Sequence, residues 1–100
     1  MTILKCISPI DGSVFAERPT QSYDEASAAI AKARAAREDW AAQPLDKRVK
    51  LVMAGVAQLN EMVDEVVPEL AHMIGRPVKY GGEFRGFNER SNYVASIAAD

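Results

Sequence analysis

Hydrophobic and polar positions alternate quickly at the start of the chain and slowly afterwards. Lys5-Cys6-Ile7 and Val14-Phe15-Ala16 are short β-prone runs, separated by Ser8-Pro9-Ile10-Asp11-Gly12-Ser13. Gly12 can take a positive φ at no steric cost and Pro9 fixes its own φ, so this stretch predicts a turn and the flanking runs a β-hairpin over about 5–18. Pro9 has no N–H to give a ladder, so the first strand should stop there or lie on an edge. From Ser22 the period lengthens. Ser22 and Asp24 are candidate N-caps, and Glu25 falls in the first turn. The Ala-rich run that follows, to Trp40, predicts a helix over about 23–42, with Ala26, Ile30, Ala33 and Trp40 on one side. Pro44 ends it, because the residue before a proline is driven out of the α region.

Val49, Val52, Met53, Val56, Leu59 and Val63 recur at i, i+3, i+4 and i+7, with Lys47, Arg48, Lys50, Gln58 and Glu61 between them. This predicts an amphipathic helix over about 46–60, capped by Asp46. Pro68 would interrupt a continuous helix, so a break is expected between Asn60 and Asp64. Asp64 then caps a new helix over about 64–75 whose early turn holds the proline. Gly75 suits its C′ position and Pro77 follows. A last helix is expected over about 80–99, with Phe84, Phe87, Ser91, Val94 and Ala98 on one face. Gly81, Gly82 and Gly86 each weaken it by about 1 kcal/mol relative to alanine. The fold class is mostly α with an N-terminal β-hairpin. The pattern runs into Asp100 with no capping signal, which reads as part of something larger.

Composition narrows this picture. Of the 100 residues, 48% are hydrophobic and 26% charged, which fits a folded domain and argues against disorder. The net charge of −2 gives no reason to expect a nucleic-acid partner. One cysteine excludes an intrachain disulfide and fits a reducing compartment. The start, Met1-Thr2-Ile3-Leu4-Lys5, does not read as a signal peptide, and no apolar run approaches the ~20 residues of a membrane span. A cytoplasmic address is the expectation.

Candidate chemistry is sparse. Cys6 sits in a strand with no histidine near it in sequence, and a thiolate needs such a neighbour or a helix N-terminus, so it reads as a packing residue. His72, the one histidine, has only Glu69 beside it, which is too few ligands for zinc. Gly81-Gly82-Glu83-Phe84-Arg85-Gly86 is neither a dinucleotide fingerprint nor a Walker loop. Lys32, Arg34, Arg37, Lys47, Arg48 and Lys50 are interleaved with Glu38, Asp39 and Asp46, as on solvated helix faces. No catalytic and no cofactor-binding residue is assigned.

The order of these signals resembles the N-terminal segment of NAD(P)-dependent aldehyde dehydrogenases. Ser8-Pro9-Ile10-Asp11-Gly12-Ser13 is similar to that family's Asn-Pro-x-Thr-Gly-Glu turn. Ala26 to Trp40 resembles its Ala-rich helix ending in tryptophan. Pro44 and Arg48 match the approach to its next helix, Gly75-Arg76-Pro77 is similar to its Gly-Lys-Pro corner, and Glu83, Phe84, Phe87 and Tyr93 fit the helix beyond. Ser8, Asp11 and Met73-Ile74 depart from the usual residues.

The resemblance implies the N-terminal portion of an α/β aldehyde dehydrogenase-like fold, on the cofactor-domain side, without the catalytic and oligomerisation parts. It implies a parent enzyme that is a homodimer or homotetramer using NAD or NADP. Such an enzyme oxidises an aldehyde to a carboxylic acid through a cysteine thiohemiacetal, with residues beyond position 100. It also implies a monovalent-cation site near the first turn, whose nearest matches here are the Ile7 carbonyl and the Glu83 carboxylate. The expected partners are the rest of the dehydrogenase or a second copy, meeting apolar helix faces; neither nucleic acid nor membrane is expected. The alternative is a stand-alone helical interaction module, which would need a closed core of its own.

Overall fold

The computed structural model describes residues 2–100. The mostly helical architecture with an N-terminal hairpin, expected from the sequence, is what the chain forms. Strands β1 (Ile3–Ile7) and β2 (Val14–Pro19) are antiparallel. Helices α1 (Tyr23–Ala42), α2 (Leu45–Glu61), α3 (Val63–Ile74) and α4 (Glu83–Ile97) follow. A single 3₁₀ turn, Val78–Tyr80, precedes α4.

Register explains how the hairpin meets the helices. Cys6 pairs with Ala16 but Ile7 pairs with Val14, so Phe15 is the extra residue of a β-bulge. A bulge re-aims the side chain it carries. Phe15 lies flat against the His72 ring at the end of α3, with centroids 5.4 Å apart and planes 6° from parallel. Farther along the strands, Lys5 pairs across to Glu17 at 3.2 Å.

Helix ends follow the local chemistry. Ser22 and Glu25 form a reciprocal capping box on α1: the Glu25 amide donates to Ser22 Oγ at 3.2 Å, and the Ser22 amide donates to Glu25 Oε2 at 2.7 Å. That N–H holds the Glu25 carboxyl below its ordinary pKa. At the other end Gln43 is extended (ψ 144°), as the following Pro44 requires.

Three expected boundaries are corrected. Asp46 was expected to cap α2, but Pro44 occupies the cap and Asp46 lies in the first turn. Its carboxylate there still favours the positive end of the helix. The break between α2 and α3 falls at Met62, inside the expected Asn60–Asp64 stretch, but Met62 rather than Asp64 takes the cap. Its own amide donates to the Leu59 carbonyl at 3.0 Å, and its carbonyl accepts from Glu65 and Val66 at 3.0 and 2.9 Å. Pro68 consequently sits in the second turn of α3, where its ring nitrogen leaves the Asp64 carbonyl without a helical donor. The last helix starts at Glu83 rather than 80, because Pro77 and the extended Gly81 hold the preceding residues in a 3₁₀ turn.

α2 and α4 are joined by one polar lock. Asn60 and Asn88 exchange side-chain amide hydrogen bonds, both 2.7 Å. Each also donates to the carbonyl four residues earlier in its own helix, Val56 and Phe84. At the opposite end, Val49 and Ala98 line the same groove, so the two helices run antiparallel.

The core is slight. Among the described residues the buried hydrophobic side chains are Val56 and Ala71. α1 contributes none. The radius of gyration, 17.8 Å, exceeds the roughly 13 Å of a closed globule of this length. The closed core that a stand-alone module needs is therefore not formed. Among the described residues, no helix is long and apolar enough to cross a membrane.

Removing one amide of the lock strands the other, at a cost of about 1–3 kcal/mol. Replacing Asn60 or Asn88 singly by Leu should therefore destabilise the chain more than replacing both. Urea denaturation of the two single variants and the double variant checks this; strictly additive losses would refute it.

The hairpin–helix corner as candidate functional site

The hairpin turn is fastened to the C-terminus of α3 through one residue. Ser8 is 1% exposed. Its Oγ donates to the His72 carbonyl at 2.9 Å and accepts from the Ile10 amide at 3.3 Å. Its amide donates to the Ser13 carbonyl at 2.8 Å, and its carbonyl accepts from Gly12 at 2.9 Å. Every polar group of Ser8 is thus used, as burial demands. The hydroxyl satisfies a carbonyl that the end of a helix leaves without an intrahelical partner.

Two glycines make the corner possible. Gly12 (φ 74°) turns the hairpin, and Gly75 (φ 70°) ends α3 in the left-handed conformation, its amide donating to Ala71 at 2.9 Å. A Cβ on Gly75 would lie 2.8 Å from Pro9 Cγ, whereas one on Gly12 would meet nothing within 4 Å. Pro9 therefore packs directly on the Gly75 backbone. Asp11 Oδ1 accepts from the Ser13 hydroxyl at 2.7 Å and from its amide at 3.0 Å. Those bonds hold the Asp11 carboxyl below its ordinary pKa, the hydroxyl contributing most.

Beyond Gly75 the corner continues to α4. Arg76 forms an ion pair with Glu83 Oε1, while Glu83 Oε2 is buried with no hydrogen-bond partner. Of the two residues expected at a cation, Ile7 ends β1 beside the buried Ser8, and Glu83 opens α4 on Arg76. Arg76 already supplies positive charge to one carboxylate oxygen and leaves the other free.

The remaining candidates are dispersed. Cys6 is half-buried in β1, lining a hollow of about 510 Å³ between hairpin and α3 with Leu4, Phe15, Glu69 and Met73. Among the described residues, no three His, Cys, Asp or Glu side chains are grouped to hold a metal. Of the clustered glycines only Gly81 sits against backbone, where a Cβ would stand 3.1 Å from the Val78 carbonyl; Gly82 has open space around it, and Glu83 places a carboxylate at the start of α4. A carboxylate at that helix start would repel a cofactor phosphate, so these residues do not fit a nicotinamide dinucleotide.

Sequence reasoning missed the Ser8 fastening, the Phe15–His72 stack and the Asn60–Asn88 lock. Of these, only the Ser-Pro pairing within the turn left a local signal.

The profile of the aldehyde dehydrogenase family matches residues 1–99. The chain belongs to the aldehyde dehydrogenase family. That family is generally NAD(P)-dependent and its members are generally oligomeric. No solved structure matches the chain. In this member of the aldehyde dehydrogenase family the turn, the corner and the following helix are not separate motifs. Ser8-Pro9, Gly75 and Arg76–Glu83 form one continuous joint.

Gly75→Ala should cost more than Gly12→Ala. Both force an L-residue into the left-handed region, at about 1–2 kcal/mol each, but only the first also collides with Pro9. Denaturant midpoints of the two variants check this, and equal losses would show that Pro9 does not press on Gly75.

Proposed function

We propose that this chain is a structural segment of an NAD(P)-dependent aldehyde dehydrogenase of the kind that oxidises an aldehyde to a carboxylic acid through a cysteine thiohemiacetal. In this reading the nucleophilic cysteine, its base and the cofactor site belong to other parts of the enzyme, and the 100 residues alone are inactive. The observation that carries it is the family match over residues 1–99, together with the missing closed core. Cys6 supports the reading by its place in the hairpin, where it lines a hollow with Leu4, Phe15 and Met73 as a packing residue would.

The segment's part in the enzyme is mechanical. The Ser8 joint and the Arg76–Glu83 pair set the angle between hairpin, α3 and α4, and so fix where the apolar helix faces meet the remainder of the dehydrogenase. The expected partners are that remainder or a second copy, and the compartment is the cytoplasm. The test is direct: a sample of verified mass, given an aldehyde and NAD⁺ or NADP⁺, should form no reduced nicotinamide by absorbance. Turnover that Cys6→Ser abolishes would overturn the assignment of inactivity.

A second reading concerns Glu83. We infer that a Na⁺ or K⁺ ion sits between the Ile7 carbonyl and the unpartnered Glu83 Oε2, hard oxygen donors of the kind such ions take. Binding to the folded state alone raises its stability. Replacing K⁺ or Na⁺ by choline at constant ionic strength should lower the Tm of the wild-type chain, and Glu83→Gln should remove that dependence. A wild-type Tm indifferent to the cation would exclude the site.

A further inference from the structure

The two edges of the hairpin are not equivalent. The Ser8 amide donates to the Ser13 carbonyl at 2.8 Å, and the Thr2 carbonyl accepts from the Thr20 amide at 2.8 Å. Thr2 and Ser8 therefore turn their backbone groups toward β2. Leu4 and Cys6 between them do the same, because these groups alternate sides along an antiparallel strand. Ile3, Lys5 and Ile7 point their amides and carbonyls the other way, off the free edge of β1. Among the described residues no backbone hydrogen bond from outside the hairpin reaches those groups.

The edge of β2 is closed to a further strand. By the same alternation Glu17 and Pro19, the partners of Lys5 and Ile3, hold its outer positions. Pro19 has no N–H to offer, and the Glu17 carbonyl accepts from Arg18 Nη1 at 2.7 Å. A proline and a charged side chain laid on the backbone both blunt an edge. β1 carries neither device. It has no proline, and Lys5, its one charged residue, reaches back across the sheet to Glu17 at 3.2 Å.

What the open edge takes follows from its side chains. On one face Ile3 and Ile7 flank Lys5 and are 52% and 51% exposed. On the other, Leu4 and Cys6 border the hollow against α3. A second copy pairing symmetrically through all three outward amides would set Lys5 directly opposite Lys5. Like charges so placed are destabilising.

We propose that the edge of β1 receives an extended antiparallel strand from another part of the enzyme, apolar opposite Ile3 and Ile7 and without a cation opposite Lys5. Backbone pairing supplies the affinity, and the alternating side chains select the strand. The addition turns a marginal hairpin into a three-stranded sheet, the size at which sheets become stable. This inference rests on the reading of the chain as a segment seated in a larger body, and it names the chemistry of what seats there.

The probe is a synthetic peptide of about seven residues, a usual strand length. It carries valines opposite Ile3 and Ile7 and a glutamate opposite Lys5. Its twin is N-methylated at those three residues, which removes the amides that would face β1. Amide hydrogen exchange of the full 100-residue chain is followed by NMR with each peptide. The first peptide should slow exchange at Ile3, Lys5 and Ile7 by about tenfold or more, saturably, and the twin should not. Lys5→Pro removes one outward amide and no β1–β2 bond, so it should weaken binding by about tenfold or more. Lys5→Ala, which keeps the amide, should bind as the wild type does. Unchanged protection of the Ser8 and Thr20 amides checks that the hairpin survives each substitution.

Equal protection by both peptides, protection by neither, or Lys5→Pro binding as tightly as Lys5→Ala would overturn the proposal. So would protection of Ile3, Lys5 and Ile7 that grows with the chain's own concentration when no peptide is present, which would seat a second copy on the edge. None of these outcomes touches the absence of turnover, so the dehydrogenase reading stands or falls separately.

Discussion

One buried hydroxyl organises the N-terminal half of this chain. Ser8 is enclosed, and its Oγ spends its proton on the His72 carbonyl, where α3 has run out of amides to offer. A buried hydroxyl without an acceptor costs about 1–3 kcal/mol, so the enclosed turn needs the helix end. A two-stranded hairpin is marginal in water by itself, which gives this contact its weight. The bulge at Phe15 and the bare backbone of Gly75 are consequences of the same docking. One lays an aromatic ring on His72, and the other admits Pro9.

From that joint the chain's geometry propagates in order. Gly75 turns it, Arg76 reaches Glu83, and Glu83 starts α4. The Asn60–Asn88 exchange then ties α4 back to α2. This produces a frame rather than a globule. Its polar joints are satisfied except at Glu83 Oε2, while most of its large apolar side chains, from Ile30 and Trp40 to Val94, stay in contact with solvent. Exposure on that scale marks surfaces made to be covered, consistent with a segment of an aldehyde dehydrogenase.

Local signals were legible in the sequence wherever local chemistry decides the outcome. Gly12 and Gly75 both take the positive φ that their positions suggested, and Ser22 caps α1. The misplacements came from competition between neighbours. Asp46 and Asp64 are good capping residues, but Pro44 and Met62 reach the non-helical conformation first, and the aspartates then serve in the first turn. The long-range pieces were not legible. Ser8 bonds to a residue 64 positions away, and Asn60 to one 28 away. Neither separation has a periodicity to reveal it. Family resemblance gave the order of turn, corner and acid on α4, even though Ser8 and Asp11 replace the usual residues, but not these contacts.

Native-state hydrogen exchange tests most directly whether this frame is held at its joints rather than by a core. The amides of Ser8, Gly12 and Gly75, which donate within the hairpin–α3 corner, should exchange slowly. Those of α1, where no side chain is buried, should exchange close to the rate of a solvated helix. Protection of α1 equal to that of the corner would mean that a common core secures both, and would contradict the account.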